Sequence, residues 1–505
     1  MENLLYRSLC NVVLISGLSY IATVVVYNTF FHPLSRFRGS PTWVVSRVPF
    51  IYTMLSGILP YHIKKLHDEY GTVLRVAPDE LSFADPQAWK DIYLQKQFIR
   101  PKEWGSRPPG VEAHNFITAN AIDHARFRKA FQPAFSYKAT KSHEPTVKKY
   151  IDLLILRLNE AIAGQRTDNG TVDLVQWLNF TTFDIIGDLG WGSSFKCLQE
   201  SSYHPWIKVV LHFKAVLIAN SIKYYPWLEA FLMKITPASA LEDLRQALET
   251  GHLRVQDRLD HNVNQHDIMS HVIDHNKSSN EIALSTGEIE MNSMALIVAG
   301  SETLTTTLAA AIHFLLENPK CLETLEREIR TNFSTEEHIT NESTISLPYL
   351  MAVLNESLRM SPPLPDSLRR EVPSGGATIA GHFVPGGTTV SVACWSLFRS
   401  SNNFTSPDEF IPERWLENSG NWTSMNKQAD SENVFHPFSL GAHNCIGQPL
   451  AWMEMRLILS RLIWNFHIQV PSGEKLQNWT DQKIFWTWDK VPLNVQLVNI
   501  EHSES

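Results

Sequence analysis

From Leu9 to Phe31 the chain is apolar almost without a break, and no Asp, Glu, Lys, Arg or His occurs between Arg7 and His32. Wound as a helix, residues 8–31 would reach about 36 Å, enough to cross a hydrocarbon core of about 30 Å. A cleaved signal peptide is the competing reading, but its apolar part runs only about 7–15 residues and ends on small residues. The pattern therefore predicts a retained transmembrane anchor over residues 8–31. Arg36, Arg38 and Arg47 follow the span while only Arg7 precedes it, which by the positive-inside rule places the rest of the chain in the cytosol. In a eukaryotic cell this means a single-pass protein of the endoplasmic reticulum membrane. Residues 32–60 hold Pro33, Pro41, Pro49 and Pro60 with Gly39 and Gly57, and read as a stiff, non-helical connector.

Over residues 61–505 the periodicity is mostly helical. Apolar positions at 3.6-residue spacing predict helices over Asp123–Phe135, Val147–Ile162, Val172–Ile186, Leu241–Arg258, Glu288–Leu316, Lys320–Thr331 and Pro449–Phe466. Alternating β-branched residues around Pro78-Asp79 predict a strand-turn-strand unit over Val73–Phe83, with further β pieces near Ala377–Val392 and Val491–Val498. The polar runs Ser334–Ser346 and Glu417–Glu432 read as surface loops. The fold class is thus mainly α with a small β region.

Length and composition narrow the classes. A chain of 505 residues gives a prior of about three domains, but no composition break marks a second one. Apolar residues make up 44 %, so a large core can form. The net charge of −8 gives no chain-wide basic footprint for nucleic acid. Cys10, Cys197, Cys321, Cys394 and Cys445 are an odd, scattered set, which excludes a disulfide framework and a CxxC zinc site.

One of these cysteines stands apart. In Phe438-Ser-Leu-Gly441-Ala-His443-Asn-Cys445-Ile-Gly447 it lies between glycines at the mouth of an amphipathic helix, where unsatisfied N–H groups and the helix dipole favour a thiolate. Gly441 and Gly447 allow a flat ligand to approach the backbone, and Phe438 can cover the sulfur. A buried structural cysteine is the bland alternative, but chance would give this Phe-Gly-Cys-Gly spacing only ~5 × 10⁻⁴ times per chain. In Ala299-Gly300-Ser301-Glu302-Thr303 an acid and a hydroxyl interrupt an otherwise apolar helix; Gly300 would open room at its surface, and Glu302 with Thr303 could handle protons. A back-bonding Ser/Thr cluster is the competing explanation. Glu356 and Arg359, at i and i+3, can pair on one helix face, as can Glu242 and Arg245, which read as an ordinary exposed pair.

Together these segments resemble the cytochrome P-450 family of haem-thiolate monooxygenases: FxxGxxxCxG at the haem loop, (A/G)Gx(D/E)T in the long helix, ExxR at Glu356–Arg359, and Pro412-Glu-Arg414-Trp415 for the PERF element with Trp in place of Phe. The His124-Ala-Arg-Phe-Arg128 run occupies the place of a WxxxR helix, with His for Trp, and the family commonly carries Arg where His443 stands. The segments FHPLSRFRG, LHDEYGTVLRVAPDELSFADPQAWKDIY and NFTTFDIIGDLGWGSSFKCL are similar to the fungal secondary-metabolite branch.

The resemblance implies one large haem domain behind the anchor, with haem b ligated through its iron by Cys445 and contacted by Phe438, Gly441, Gly447 and Ala299. It implies propionate contacts from His124, Arg128, Arg370 and His443, catalytic roles for Glu302 and Thr303, and a structural Glu356–Arg359–Arg414 network. Electrons would come from a separate NADPH–cytochrome P-450 reductase, with cytochrome b5 as a further donor docking on a basic face that includes Arg126, Lys129 and Arg456. O2 would be the co-substrate, and a lipophilic terpenoid, polyketide or alkaloid the substrate. Its pocket walls would be Pro109–Ala121, Tyr203–Phe231, Leu296, Ala299, Leu364–Leu368 and Trp486–Thr487. Desaturation, ring formation or isomerisation without oxygen insertion is the nearest alternative; a haem sensor or carrier is another.

Overall fold

The computed structural model describes residues 2–101, 105, 107, 111–164, 170–211, 224–225, 231, 234, 238–261, 267–278, 283–366, 368–416 and 433–501. The surface-loop reading of Glu417–Glu432, and parts of the Pro109–Ala121, Tyr203–Phe231 and Leu364–Leu368 walls, lie outside the described residues. The chain divides into two compact units, residues 1–101 with 366–397 and residues 102–365 with 398–505.

The first unit begins with the helix Glu2–Val26, continued by a π-helical turn over Tyr27–Phe31. Leu9, Val13, Ile15 and Phe30 along it are exposed, so the segment is long and apolar enough to cross a membrane and packs almost none of that surface against protein. The connector is not helix-free as expected: Pro41–Val45 and Val48–Leu55 are helices, and Leu59–Tyr70 is a third. The prolines are the reason for the correction. Each of these helices carries Pro at its first or second position, where a missing N–H costs nothing and the fixed φ suits the turn. Trp43, Phe50, Leu59 and Ile63 from these helices pack on Leu74 and Val76.

Those two residues belong to a four-stranded sheet in the order Val73–Ala77, Glu80–Phe83, Thr389–Val392, Arg370–Glu371. The first pair is the expected strand-turn-strand; the second and third strands are parallel and the last antiparallel. Ala377–Ile379 and His382–Val384 form a separate hairpin. Buried Glu80 joins Arg47, at 2.5 Å, to Arg369, at 2.8 Å, so that each buried charge has a partner.

The second unit is helical. Its centre is the helix Thr286–Glu317, opened by a capping box between Ser285 and Glu288 and packed along Leu174–Trp191, which is itself buried on nearly every side. A Cβ added at Gly300 would come within 3.0 Å of Ile186 Cγ1. Gly300 therefore lets these two helices approach each other, and the room it opens at the helix surface is filled by Ile186. Around this pair lie Ala121–Phe131, Tyr137–Ala163, Ala238–Asp260, Pro319–Asn332, Pro348–Met360 and Gln448–Asn465. A three-stranded antiparallel sheet, Thr171–Asp173, Asn494–Asn499 and Phe466–Gln469, and the hairpin Ile484–Phe485/Thr487–Trp488 complete the unit. The Ser334–Ser346 stretch is not a plain surface loop: Asn341–Ile345 is a helical turn whose buried Asn341 and Thr344 bond Arg456, at 2.5 and 3.4 Å.

Candidate functional site

The cysteine loop is shaped by its own backbone. Ser439 and Gly441 take positive φ, +59° and +73°, a left-handed conformation that Gly adopts freely and Ser does not. A 3₁₀ turn follows over Gly441–His443, and Cys445 N–H donates to Phe438 O at 2.9 Å, closing the loop. Cys445 is exposed and sits two residues ahead of Gly447, the N-cap of Gln448–Asn465. Gly447 has an ordinary φ of −83°, and an added Cβ would meet only Phe135 Cε1 at 3.9 Å and Cys445 Sγ at 4.0 Å. Phe438 packs on Trp452, ring centroids 5.7 Å apart.

Two sequence-distant residues meet this loop from Ala121–Phe131. Arg128 donates from Nη1 to Asn444 O at 2.6 Å and from Nη2 to Asn444 Oδ1 at 2.8 Å. His124 Nε2 and His443 Nδ1 are 3.0 Å apart with ring centroids at 3.9 Å, so one ring donates and the other accepts. His443, which replaces the family's Arg, and His124, which replaces its Trp, thus stand together. Arg370 belongs to the first unit, where it is buried, donates to Arg369 O at 2.8 Å and lies over the Tyr93 ring at 5.3 Å. Arg100, missed by the sequence reading, is half-buried in the same unit. Burial and the neighbouring Arg370 charge lower its pKa to about 9.

The basic face expected from Arg126, Lys129 and Arg456 needs correction. Arg126 is tied to Asp123 at 2.9 Å and to Glu288, and Arg456 is buried among Asn341 and Thr344. Gln448–Asn465 is covered nearly all round, so its charged positions do not mark an outer face. Lys129 remains, lining a cleft of ≈ 470 Å³ with Arg128, Gln132, Phe135, Asn444 and Cys445.

On Thr286–Glu317, Ala299 is exposed, and Thr303 Oγ1 donates to Ala299 O at 2.7 Å. Lys490 Nζ donates to Glu302 Oε2 at 2.7 Å. Glu356 is fully buried and accepts from Arg359 Nε and Nη2, both at 2.8 Å, and from Arg414 Nε at 3.1 Å. Trp415 Nε1, at 2.9 Å, and Ile411 N, also at 2.9 Å, complete its shell. Burial alone would raise the Glu356 pKa; Arg359 and Arg414 outweigh it and hold the carboxyl below its usual range. The Glu242–Arg245 pair is exposed, at 46 % and 64 %. Lys490 carried no motif signal, and the PERF element that contains Trp415 gave no sign that its indole would reach Glu356.

No group of three His, Cys, Asp or Glu side chains that could hold a metal occurs among the described residues. The donor set beside the loop is one thiol with two imidazoles and a guanidinium. It fits a metal whose remaining ligands come from an anionic macrocycle, as in thiolate-ligated haem.

The comparisons with known proteins agree. The Cytochrome P450 family model matches residues 38–495. The "Cytochrome P450 monooxygenase lcsI" of Purpureocillium lilacinum is 38 % identical over 491 residues, covering 95 % of this chain and 92 % of the relative. The "Trichothecene C-15 hydroxylase" of Fusarium sporotrichioides is 38 % identical over 490 residues, 96 % of each chain. The "Averantin hydroxylase" of Dothistroma septosporum is 37 % identical over 489 residues, 95 % of this chain and 90 % of the relative.

Proposed function

Because this chain belongs to the cytochrome P450 family, whose haem iron is held by a cysteine thiolate, we propose that it is an anchored monooxygenase acting on a lipophilic intermediate of fungal secondary metabolism. The observation that carries this reading is Cys445 at the N-terminal end of Gln448–Asn465, with a closed glycine loop on one side and His124, His443 and Arg128 beside it. Bound haem supplies dioxygen activation and C–H oxidation: substrate, O2, NADPH and a proton give hydroxylated substrate, water and NADP⁺.

The chain's own residues do the rest. Cys445 ligates the iron, its sulfur turned toward N–H groups that temper the thiolate's charge. Arg128 holds the loop through Asn444, and His124 and His443 offer hydrogen bonds to a propionate. Glu302 and Thr303 hold and pass protons, with Ala299 on the open face beside them. Glu356, Arg359 and Arg414 fix the core through the backbone of Phe398, Thr405, Pro407, Glu409 and Ile411. The relatives' names, a trichothecene C-15 hydroxylase and an averantin hydroxylase, favour hydroxylation as the reaction, with a lipophilic terpenoid, polyketide or alkaloid as the substrate. The apolar N-terminal helix favours the endoplasmic reticulum membrane, where NADPH–cytochrome P-450 reductase, with or without cytochrome b5, would supply electrons.

The test is turnover in microsomes containing the reductase, with extracts of the host fungus as the substrate source. A product heavier by one oxygen, labelled from ¹⁸O2 and dependent on NADPH, is expected. A product without the label would overturn the monooxygenase assignment for this chain.

A further inference from the structure

The acid of the Ala299–Thr303 segment does not stand alone. Glu302 Oε2 and Lys490 Nζ lie 2.7 Å apart with side chains 13 % and 5 % exposed. The other oxygen, Glu302 Oε1, is buried and has no hydrogen-bond partner among the described residues. Lys490 comes from the segment between the Thr487–Trp488 and Asn494–Asn499 strands, and its backbone is held on both sides. Asp489 N–H donates to Lys483 O at 2.8 Å and Val491 N–H to Gln482 Oε1 at 3.0 Å. Two residues further on, Leu493 N–H donates to Asp173 Oδ1 at 3.0 Å. The ammonium is therefore delivered by a fixed piece of backbone.

Apolar packing would have been enough to fix this segment to a core helix. Burying an ammonium and a carboxylate costs desolvation that their mutual attraction only roughly offsets, so stability does not explain the pair. What the pair does achieve is geometric. Lys490 occupies one oxygen, fixes the carboxylate rotamer, and leaves the other oxygen to a group that the protein does not itself supply.

We infer that Lys490 is a positioning residue for the monooxygenase reaction: bound to Glu302 Oε2, it aims Oε1 to accept and return the protons that dioxygen reduction consumes. The inference deepens the role given to Glu302 above and rests on it.

The test compares full-length wild type with K490M, K490R, E302Q and E302Q/K490M in membranes with the reductase. One readout is NADPH-supported O2 consumption without added substrate, in H2O and in D2O. The other is the C–O stretching band of the reduced carbon monoxide complex, which senses the polar groups facing the ligand without turnover. K490M should slow consumption about tenfold, the lower end of what loss of a supporting residue costs, raise the H2O/D2O ratio and shift the band. K490R should restore all three, and K490M should add nothing in the E302Q background. If K490M does not load haem, Lys490→Gln is read in the same way. Wild-type behaviour of K490M, or its full effect in the E302Q background, overturns the role of Lys490 alone. An E302Q variant indistinguishable from wild type overturns the role of Glu302, and that of Lys490 with it.

Discussion

Two Glu-x-Leu-Arg pairs in this chain are placed by the fold in opposite surroundings, one buried and one exposed, which makes Arg359→Leu and Arg245→Leu an informative comparison. Arg359 is fully buried. It binds both oxygens of Glu356 and donates to Phe398 O at 2.8 Å, Pro407 O at 2.6 Å and Glu409 O at 3.0 Å. Removing it strands a buried carboxylate, still bound by Arg414, together with several carbonyls. Breaking a buried pair from one side costs about 3–5 kcal/mol. The second unit holds roughly 370 residues, and at ~2.1 cal/mol/K of unfolding entropy per residue this cost lowers its melting temperature by about 4–6 °C. Arg245, 64 % exposed, has solvent to replace its partners, and its loss should leave the melting curve unchanged. Differential scanning calorimetry of detergent-solubilised holoprotein measures both. Equal shifts for the two variants, or a wild-type melt for Arg359→Leu, would refute the reasoning that burial decides what such a pair is worth.

Other outcomes follow from the same structure. Trp415→Phe restores the residue usual in the family but removes the indole N–H from Glu356, and should cost about 1.5–3 kcal/mol in a denaturant titration; no loss would mean the bond is dispensable. His67 is buried between Gly71 O at 2.8 Å and Ser82 Oγ at 2.9 Å, and burial lowers its pKa to about 4. The folded state then binds fewer protons than the unfolded, so this contribution is complete above about pH 6.5 and is lost as pH falls toward 4. His67→Gln should flatten the fall of the urea midpoint across that window, and an unchanged slope would refute the assignment. Gly300→Ala presses a methyl on Ile186 and should cost about 1–3 kcal/mol despite alanine's better helix propensity; a raised melting temperature would show that the helices can part.

The residues that could be read from the sequence are those whose meaning is local. Phe438, Gly441, Cys445 and Gly447 lie in one loop, Ala299–Thr303 on one turn of helix and Glu356 with Arg359 on one face, so spacing alone exposes them. The helices with Pro41, Pro49 and Pro60 near their starts were hidden because proline breaks a helix interior yet favours its first turn. Arg456 looked like surface because it is charged, but Gln448–Asn465 is enclosed on almost every side and has no polar face for periodicity to reveal. The His124–His443 contact joins residues 319 apart and the Lys490–Glu302 pair residues 188 apart. Neither has a local pattern; only the folded chain brings them together. Gly300 was legible as room at the helix surface, but the sequence does not say that Ile186 is what fills it.

The carbon monoxide difference spectrum of the reduced protein tests the central claim most directly. Wild type should give the red-shifted Soret band of a thiolate-ligated haem, and Cys445→Ala should lose it while Cys197→Ala and Cys394→Ala keep it. Survival of that band in Cys445→Ala, or its absence from wild type loaded with haem, would contradict the assignment of Cys445 as the iron ligand.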